Sequence, residues 1–422
     1  MYGGDGLARL PADEHGRGKA VFLPLVLAGE KVEATLLEQK PGFARARADA
    51  IVEASNQRVR PQCRYFGECG GCHYQHAGYE HQLAVKASIL TENLRRIAKL
   101  ELATELVVHP SPAWNYRNRT RLRVQTQPQF ALGYYKLNSH ELLPITECPI
   151  SSPLINQAIA ALWRLGGTMD GAIQEVEFFV DGEDNQLLLD VDCAFGTAVE
   201  TATRLAEQLR QGLPAAIGVT VRNTDGKNRA SLELPPIATL GATELSYHTR
   251  HSAYRVSSGA FFQVNRHLTD ELIDIVTEGA SGDLALDLYA GVGLFSTVLS
   301  RSFAQVVAVE SSPTSHRDLL YNSSSHVKAV RSTTEQFLKT VAGQLRPNLV
   351  VADPPRGGLG EAVVRGLIGL RAGRIIYVSC DPATLSRDLV GLLQAGYRIQ
   401  QAHVVDLFPQ TYHVESVFHL VR

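Results

Sequence analysis

The C-terminal part of the sequence alternates short apolar strands with helical stretches, and this alternation is the strongest constraint on the fold. After about residue 266, helical stretches separate the apolar runs LALDLYA, VVAVE, LVVADPP and IIYVSC. Strands that are apolar along their whole length are typical of a parallel sheet, because helices cover both of its faces. Residues 256–422 are therefore predicted to form an α/β domain with a Rossmann-like sheet.

The rest of the chain predicts two further domains. The chain has 422 residues, of which 45% are hydrophobic, and this length exceeds what one hydrophobic core usually holds. Residues 1–54 contain short strands between glycine and proline turns, which favour a small OB-like β-barrel. Residues 55–255 contain a cysteine cluster and the strands of an antiparallel α+β domain. An amphipathic helix is indicated by Leu83, Ala87, Leu90, Leu94 and Ile97.

The charge and the hydrophobic pattern exclude two classes of protein. The formal net charge is -2 at pH 7, so any affinity for nucleic acid must come from a local basic surface. The sequence has no run of about 18 uncharged apolar residues that could span a bilayer, and its start lacks a signal-peptide pattern. We therefore expect a cytoplasmic protein, and a monomer without an obligate protein partner.

A glycine turn after the first of these apolar strands predicts a cofactor site. Gly291 and Gly293 lack side chains, so a ligand can approach the backbone closely. The next strand ends in Glu310, where a carboxylate can accept hydrogen bonds from both ribose hydroxyls of a nucleoside. The turn lacks the third glycine typical of pyrophosphate sites, which favours a cofactor without phosphate, such as S-adenosylmethionine. A structural turn beside an incidental glutamate is the alternative.

Asp353 follows another apolar strand, in the rigid turn Asp353-Pro354-Pro355-Arg356. Its carboxylate is expected at the carboxyl end of the sheet, where open α/β sheets bind their ligands. Similar turns occur in enzymes that methylate planar bases, but those that act on amino groups usually have Tyr or Phe in place of Arg356. The sequence therefore disfavours methylation of an exocyclic amine.

Cys380 ends the apolar run IIYVSC and directly precedes Asp381 and Pro382, which are typical of a helix N-cap and first turn. Amide donors and the helix dipole lower the pKa of a thiol at such a place, so we expect a thiolate nucleophile. On the residues alone, a buried structural cysteine is an equally good interpretation. Cys193, within QLLLDVDC, is interpreted as a core residue.

The chemistry of ring-carbon methylation connects Cys380 to a base near the C terminus. Carbon 5 of uracil is a weak nucleophile, and thiolate addition at carbon 6 converts the ring into an enolate that can take a methyl group. A base must then remove the carbon-5 proton. Glu415 and His413 are expected on one face of the last strand, and apolar neighbours would raise the pKa of Glu415. We prefer Glu415, because a structural role suits His413 at least as well.

Several segments together resemble the uracil-5 RNA methyltransferases, in the order GAFFQVN, DLYAGVG, DPPRGG, SCDPATLSRD and HVES. The resemblance covers most of the chain and is nearest to the ribosomal RNA branch, which has an N-terminal TRAM barrel and an iron–sulfur cluster. It implies that Cys380 is the nucleophile and Glu415 the general base. It also implies contacts to S-adenosylmethionine from Gln263, Tyr289, Glu310 and Asp353.

The sequence departs from the family pattern at two places. Family barrels usually have a strand before the YGGDG motif, whereas here Met1 directly precedes it. We therefore expect an incomplete barrel or a start that was assigned late. Asp381 stands where many members have Asn, a difference that leaves the capping role intact.

Four cysteines predict a metal centre. Three are close together on a glycine-rich loop and one is distant, namely Cys63, Cys69, Cys72 and Cys148. Four thiolates suit either zinc or a four-iron cluster, and the spacing alone does not decide between them, although structural zinc sites prefer two short cysteine pairs. The residues as a whole favour the cluster and leave zinc open. The resemblance implies a 4Fe-4S cluster with these ligands. His73 and His76 are interpreted as RNA-facing or structural.

Arginine-rich segments predict the RNA-binding surface. A strand would display on one face Arg117, Arg119, Arg121 and Arg123, and upstream lie Arg45, Arg47, Arg58, Arg60 and Arg64. Such a row is repulsive unless an anion covers it, so we expect it to follow RNA phosphates, with a solvated, salt-bridged face as the alternative. Phe261 and Phe262 could stack on an extruded base, with at least one of them in the core.

The sequence therefore predicts an S-adenosylmethionine-dependent RNA methyltransferase that forms 5-methyluridine by covalent catalysis, with 23S ribosomal RNA as the first expectation for its substrate. Three alternatives stay open: a transfer RNA uracil-5 methyltransferase, an RNA cytosine-5 methyltransferase and a noncatalytic iron–sulfur RNA-binding factor. The cytosine enzymes typically place their cysteine after a proline, a context that the Asp-Pro-Pro-Arg turn lacks.

Overall fold

Four short strands form the N-terminal sheet in the computed structural model, which describes residues 3–10, 18–169, 173–224 and 235–422. They are β1 (Gly6–Arg9), β2 (Ala20–Leu23), β3 (Lys31–Gln39) and β4 (Phe43–Glu53). Their order is β1-β2-β4-β3, with β2 and β4 parallel and the other neighbours antiparallel. Alternating side chains of β2 and β4 form a small core of Val21, Leu23, Ala44 and Ala46. The N-terminal region is thus rich in β-structure, and its closure into a barrel stays a prediction.

Helix α1 (Tyr79–Asn93) continues through a π-helical turn (Leu94–Ala98) and leads to strand β5 (Leu106–His109). The predicted amphipathic helix is therefore confirmed. Its buried face differs from the predicted one, because it carries Gln82 and Lys86 beside the apolar residues. α1 shares a core with the C-terminal sheet and β5 pairs with the edge of that sheet, whereas the sequence pattern had placed this segment in the central domain.

Seven strands form the central sheet. They are β6 (Arg119–Gln125), β7 (Ala131–Tyr135), β8 (Leu142–Pro144), β9 (Ile173–Val180), β10 (Leu187–Ala194), β11 (Ala216–Thr224) and β12 (Ala238–Gly241). Their order is β12-β11-β10-β9-β6-β7-β8, and the described pairs are antiparallel except for β10 with β11. Helices α2 (Pro153–Leu165) and α3 (Val199–Gly212) share a core with this sheet, as expected for an α+β architecture. Cys193 is fully buried in that core, as predicted.

A hairpin of β13 (Glu244–His248) and β14 (Ala253–Ser257) lies between the central and C-terminal sheets. Its buried residues pack in one core with Phe179 of β9 and with apolar residues of the C-terminal sheet. The two sheets are thus joined by a continuous apolar core, and the segment 259–265 follows directly after the hairpin.

The C-terminal sheet has eight strands, of which β5 is one. The others are β15 (Gly282–Leu288), β16 (Phe303–Glu310), β17 (Val327–Arg331), β18 (Leu349–Ala352), β19 (Arg374–Ser379), β20 (Arg398–Val405) and β21 (Glu415–Val421). The helices are α4 (Thr269–Thr277), α5 (Ser296–Leu299), α6 (Pro313–Asn322), α7 (Thr334–Thr340), α8 (Gly360–Leu370) and α9 (Pro382–Gln394).

The strand order of this sheet is β17-β16-β15-β18-β19-β21-β20-β5. Pairing is parallel from β17 to β19, whereas β21 is antiparallel to both β19 and β20. Apolar side chains on the two faces of the sheet belong to two separate core clusters. The predicted α/β domain is confirmed, and burial of both faces explains why its strands are apolar along their length. None of the helices in the described ranges has the length and apolar composition that a membrane crossing requires.

Candidate functional site

Four neighbouring strands of the C-terminal sheet carry a predicted site residue at or directly after their carboxyl ends. Tyr289 follows β15, Glu310 ends β16, Asp353 follows β18 and Cys380 follows β19. The order β16-β15-β18-β19 therefore aligns these four residues along one edge. Open α/β sheets bind their ligands at such an edge.

The glycine turn after β15 has an unusual backbone and an open tip. Tyr289, Gly291 and Gly293 have φ angles of 63°, 57° and 94°, in the left-handed region that glycine adopts without strain. A Cβ atom at Gly293 would lie 2.8 Å from Leu319, whereas one at Gly291 would meet no described atom within 4 Å. Gly293 is thus favoured by its backbone conformation, and Gly291 borders a space from which a ligand can approach.

Glu310 is bound to this turn. One of its carboxylate oxygens accepts a hydrogen bond from the Gly291 amide at 2.8 Å, and the other accepts one from the Ser312 amide at 2.6 Å. Each carboxylate oxygen can accept more than one hydrogen bond, so contacts to ribose hydroxyls are compatible with this geometry. The carboxylate also shapes the turn, a role that the sequence pattern did not reveal.

Asp287, at the start of the motif DLYAGVG, is a further part of the turn. It is fully buried and accepts hydrogen bonds from the Ser296 amide, at 2.9 Å, and from the Ser296 hydroxyl. Burial raises the pKa of Asp287 to about 7. The sequence already indicated this role, because Asp287 is a charged residue inside an otherwise apolar strand. Ser296, the partner of Asp287, became evident only in the structure.

Gln263 lies in the segment that follows β14. Its backbone carbonyl accepts a hydrogen bond from Asn118 Nδ2 at 2.9 Å. The neighbouring Phe262 is buried in the same core cluster as Val292 and Leu294 of the glycine turn. This packing brings the segment of Gln263 next to the turn.

Cys380, directly after β19, and Glu415, at the start of β21, lie at the same end of two paired strands, and the charge of Glu415 acts on the thiol. The antiparallel register of β19 and β21 pairs Ser379 with Ser416, which are the chain neighbours of Cys380 and Glu415. Ser416 Oγ also donates a hydrogen bond to Ser379 O at 3.2 Å. Cys380 is half-buried and Glu415 is buried. The thiol and the carboxyl group that covalent methylation requires are therefore brought together.

Burial controls the protonation of Cys380, Glu415 and Asp353. Burial and the neighbouring Asp353 raise the pKa of Glu415 well above its ordinary value. Burial and the charge of Asp287 raise the pKa of Asp353. Burial, Glu415 and Asp353 together raise the pKa of the Cys380 thiol to about 12. The expected rise at Glu415 is therefore confirmed, whereas the expected lowering of the Cys380 pKa is wrong.

The helix start beside Cys380 explains this difference. α9 begins at Pro382 and Asp381 is its N-cap, as predicted. The Asp381 carboxylate accepts hydrogen bonds from the Ala383 and Thr384 amides at 2.9 and 2.8 Å. These amides therefore stabilise the charge of Asp381 and not that of the thiol, and two further carboxyl groups oppose ionisation of the thiol.

The loop that contains Asp353 is fastened to α9 by Asp388. The Asp388 carboxylate accepts hydrogen bonds from the Leu359 amide at 2.8 Å and from the Tyr377 hydroxyl at 2.9 Å. Gly358 has a φ of 72°, and a Cβ atom there would lie 2.5 Å from Asp388 Oδ2. The second glycine of DPPRGG is thus required both by its left-handed backbone conformation and by the close approach of the Asp388 carboxylate. Asp388 ends the motif SCDPATLSRD, but its partners are distant in sequence.

His413 lies outside the last strand, because β21 begins only at Glu415. The prediction that the two side chains share one face of a strand is therefore wrong. The imidazole nitrogens of His413 lie 3.3 Å from the Arg356 guanidinium. Burial and this cation lower the pKa of His413 to about 3. A histidine with so low a pKa is a weak base, which favours Glu415 for that role.

The four cysteines predicted to bind a metal line one cavity of about 670 Å³. They are Cys63, Cys69, Cys72 and Cys148, and all are free thiols. Burial and the nearby Cys148 raise the pKa of Cys69 to about 11 and that of Cys72 to about 12. Such thiols stay protonated at neutral pH unless a cation binds them.

Within residues 3–10, 18–169, 173–224 and 235–422, no group of three or more His, Cys, Asp or Glu side chains is arranged to hold a metal ion. The four thiols instead line a cavity that they share with other residues, among them Arg117 and Phe261. Burial lowers the pKa of His73 and His76 to about 4, and His76 packs on Phe66 with ring centroids 5.6 Å apart. These contacts agree with a structural role for both histidines.

The arginines of β6 form ion pairs with carboxylates of the neighbouring strand β9. Arg121 lies 2.8 Å from both Glu175 and Glu177. Arg123 lies 3.0 Å from Glu175, and Arg119 lies 3.7 Å from Glu177. The salt-bridged alternative is therefore confirmed for these three arginines, which share two carboxylates of β9.

The upstream arginines and Phe261 are the remaining RNA-facing candidates. The exposed arginines are Arg45, Arg47, Arg60 and Arg64, whereas Arg58 is half-buried and bonded to Glu30 at 2.7 Å. Exposed ion pairs contribute little free energy, so such arginines can exchange a carboxylate for a phosphate. Phe261 is 61% exposed and Phe262 is 2% exposed, as expected if one of the two belongs to the core.

Comparisons with known proteins identify the family of the chain. The sequence profile of the family described as tRNA (Uracil-5-)-methyltransferase matches residues 78–422. The 23S rRNA (uracil(1939)-C(5))-methyltransferase RlmD of Aromatoleum aromaticum is 32% identical, with 96% of this chain and 95% of that relative covered. An uncharacterized RNA methyltransferase of Aquifex aeolicus is 31% identical, with 99% and 95% covered.

The fold is similar to that of Pyrococcus abyssi tRNA (uracil-54, C5)-methyltransferase, solved in complex with S-adenosyl-L-homocysteine. The TM-score is 0.76 at 23% identity, over 99% of this chain and 100% of that chain. The family profile extends over the glycine turn and over both Cys380 and Glu415. The chain therefore belongs to the tRNA (uracil-5-)-methyltransferase family of RNA methyltransferases.

Proposed function

We propose that the chain methylates carbon 5 of a uridine in RNA, with Cys380 as the nucleophile and Glu415 as the general base. The observation that carries this proposal is that a half-buried thiol directly after β19 and a buried carboxyl group at the start of β21 lie at the same end of two paired strands, close enough for the carboxyl charge to act on the thiol. Covalent methylation of a ring carbon needs both groups. Membership of the family supports uridine as the acceptor.

The proposed methyl-donor site contains Gln263, Tyr289, Glu310 and Asp353. The open space at Gly291 and the amide-bound carboxylate of Glu310 suit a ribose, whereas a pyrophosphate would be repelled by that carboxylate. S-adenosylmethionine, when bound, supplies a methyl group on a positively charged sulfur. Glu310 would hold its ribose, and the carboxyl group of Asp353 lies between the glycine turn and Cys380 along the sheet edge.

The proposed reaction has three steps at the uracil ring. The Cys380 sulfur bonds to carbon 6, and the electron pair of the 5,6 double bond moves into an enolate. Carbon 5 then bonds to the methyl group while the bond from that group to the donor sulfur breaks, and the electron pair of the broken bond stays on the sulfur. Glu415 takes the proton from carbon 5, the double bond re-forms, and the bond from carbon 6 to sulfur breaks.

Protonation states set a condition on the first step. Burial and two carboxyl groups keep Cys380 as a neutral thiol in the free protein, while the Arg356 guanidinium favours the thiolate. Glu415 is likewise held protonated and must lose its proton before it can act as a base. We infer that the thiolate forms only when a bound reactant brings positive charge to the site, because further exclusion of water alone would oppose ionisation.

The central experiment compares Cys380→Ala with Glu415→Gln, using Cys193→Ala as the control cysteine. We expect Cys380→Ala to transfer no methyl group. Glu415→Gln is expected to transfer the methyl group once and then to accumulate a denaturant-stable protein–RNA adduct, because the carbon-5 proton stays in place. Methyl transfer at the normal rate by Cys380→Ala would overturn the proposal.

A mechanism-based inhibitor tests the site of attack independently. RNA that carries 5-fluorouridine at the target should trap a covalent adduct with the unaltered protein, because fluorine cannot leave as a proton. Peptide mapping should place the RNA on Cys380. If active protein forms no adduct, attack at carbon 6 is excluded.

We propose that Cys63, Cys69, Cys72 and Cys148 hold a 4Fe-4S cluster. The cavity that all four cysteines line, and the raised pKa values of Cys69 and Cys72, which a bound cation would lower, support a site that needs four thiolates. Iron and sulfide analysis of protein prepared without oxygen, together with visible absorbance, tests this. Zinc without iron would establish the alternative of a structural zinc site.

We propose 23S ribosomal RNA as the substrate, because a relative 32% identical over nearly its whole length carries that name. The test is incubation with labelled methyl donor and total RNA, followed by identification of the labelled RNA and nucleoside. Label confined to transfer RNA, or in 5-methylcytidine, would replace this proposal. The complete absence of label would favour a noncatalytic RNA-binding factor.

We also propose a function for each of three parts of the chain. Residues 1–54 would form a TRAM-like RNA-binding barrel, residues 55–255 the cluster-bearing RNA-binding domain and residues 256–422 the methyltransferase domain, which α1 and β5 complete. The N-terminal sheet and the exposed arginines support the first two assignments. We expect a cytoplasmic monomer, which sedimentation analysis of the full chain would test.

A further inference from the structure

Residues 406–414 connect β20 to β21 and end directly before Glu415. We name them the catalytic segment. Within it, Gln410 has a φ of 68°, a left-handed conformation that residues other than glycine rarely adopt. Such a conformation persists only when the surroundings hold it in place. The contacts that hold the catalytic segment therefore also position Glu415, the first residue of β21.

The loop that bears three of the cysteines holds this segment through the backbone. We name residues 63–78 the cysteine loop. The carbonyl oxygen of Gln410 accepts hydrogen bonds from the amides of His73, at 2.8 Å, and Tyr74, at 3.0 Å. These two residues directly follow Cys72. The His73 ring also packs edge-on against Tyr412, with centroids 4.5 Å apart.

A buried pair of glutamines strengthens the same contact. Gln82 of α1 is 1% exposed and Gln410 is 3% exposed. The Gln82 amide nitrogen lies 3.1 Å from Tyr74 O, 2.9 Å from Ala77 O and 3.0 Å from Gln410 Oε1. The Gln82 oxygen accepts a hydrogen bond from the Gln410 amide at 3.0 Å. One side chain thus joins the cysteine loop, α1 and the catalytic segment.

The start of the catalytic segment is held by a buried ion pair. Lys86 and Asp406 have no exposed side-chain surface, and Lys86 Nζ lies 2.5 Å from Asp406 Oδ1. Lys86 also donates a hydrogen bond to Phe408 O at 2.9 Å, and the Tyr79 hydroxyl donates one to Asp406 at 2.9 Å. The helix that follows the cysteine loop therefore fixes both the start and the middle of the segment.

We propose that the cysteine loop and α1 act as one clamp on the catalytic segment, so that the state of the four-cysteine centre sets the position of Glu415. This inference rests on the proposed roles of Glu415 and of the cysteines. Gln82 and Gln410 are positioning residues in it, because they act on Glu415 through the backbone. A metal centre that holds the cysteine loop rigid would keep the clamp closed, and its loss would release the segment.

The first test substitutes Gln82→Leu, which keeps the shape of the side chain and removes its hydrogen bonds. Glu80→Gln, at an exposed position of the same helix, is the matched control. Hydrogen exchange of residues 406–414 should become about tenfold faster in Gln82→Leu, as expected when buried hydrogen-bond partners are left unsatisfied. Exchange in β16 and the iron content should not change.

We expect Gln82→Leu to slow only the step in which the base removes the carbon-5 proton. We expect kcat of Gln82→Leu to fall about tenfold while KM for S-adenosylmethionine stays the same, because only the base is displaced. The adduct with unmodified RNA should accumulate, as in Glu415→Gln. If Gln82→Leu does not fold, Gln410→Gly replaces it, since glycine keeps the backbone conformation and carbonyl but removes the amide side chain. Unchanged exchange at 406–414 in the variant that folds overturns the proposal.

The second test removes the metal from the full unaltered chain with an iron chelator under reducing conditions. Exchange should rise in residues 63–78 and 406–414 together and not in β16. A rise confined to residues 63–78, or spread evenly over the whole chain, overturns the coupling. If Cys380→Ala keeps its activity while these exchange results hold, the proposed function fails and the clamp stands.

Discussion

At Cys380, the local sequence and the tertiary environment have opposite effects on the pKa of the thiol. Asp381 and Pro382 begin a helix whose amides could stabilise a thiolate, but the Asp381 carboxylate accepts hydrogen bonds from the next two amides. Burial, Glu415 and Asp353 then favour the neutral thiol. Because the thiolate is the form that alkylating and oxidising agents attack, the free protein should be protected at this residue.

We expect alkylation of Cys380 by iodoacetamide in the free protein to accelerate with pH without levelling off below about pH 10. Since the pKa of Cys380 is raised to about 12, its thiolate fraction rises about tenfold per pH unit over that range. Mass spectrometry of the Cys380 peptide at successive pH values measures the rate. A plateau near the pKa of an ordinary thiol, about 8.5, would contradict the environment described for Cys380.

At the scale of elements, β6 and β9 are joined by a cross-strand ladder of ion pairs in addition to their backbone hydrogen bonds. Arg121 contacts two carboxylates of β9, and its side chain is 32% exposed, against 11% and 13% for Glu175 and Glu177. Partly buried ion pairs are screened less than surface pairs. The row of positive charge in β6 therefore serves to stabilise the central sheet.

Substitution Arg121→Ala should lower the free energy of unfolding by about 1–3 kcal/mol, between the values for exposed and for fully buried pairs, because it leaves two carboxylates without their shared cation. Arg60→Ala, at an exposed position, should change it by less than about 0.5 kcal/mol. Urea denaturation followed by circular dichroism measures both. Equal effects of the two substitutions would show that the ladder contributes nothing to stability.

At the scale of the whole molecule, a segment from the first quarter of the chain completes the C-terminal sheet. β5 pairs in parallel with β20, and α1 shares a core with apolar residues of that sheet. The Lys86–Asp406 ion pair connects residues 320 positions apart in sequence, and neither side chain has exposed surface. The helix that follows the cysteine loop is therefore packed into the domain that contains Cys380.

Replacement of Lys86 by Met should lower the free energy of unfolding by about 3–5 kcal/mol, because it leaves Asp406 buried without its cation. Lys328→Met, at an exposed position of β17, is the control and should change it by less than about 0.5 kcal/mol. Guanidinium chloride denaturation, monitored by fluorescence and by circular dichroism, gives both values. A loss below about 1 kcal/mol for Lys86→Met would mean that water reaches the pair.

The sequence determined which elements form and which residues end them. Apolar runs predicted the strands of the C-terminal sheet, and strand ends that carry Glu310, Asp353 and Cys380 predicted the edge where the site lies. These features are local: burial on both faces requires a continuous apolar run, and a tight turn requires glycine. The family was evident from the same short motifs. The barrel, the metal centre and the RNA substrate stay predictions.

Only the tertiary structure decided what surrounds each of these residues. Gln82 and Lys86 lie on the buried face of α1 because their partners come from residues 406–410, and helical periodicity carries no information about them. The carboxylates that balance Arg121 and those that oppose ionisation of Cys380 likewise come from other strands. The pKa of a side chain and the pairing of a charge depend on burial and on neighbours in space, which no local pattern specifies.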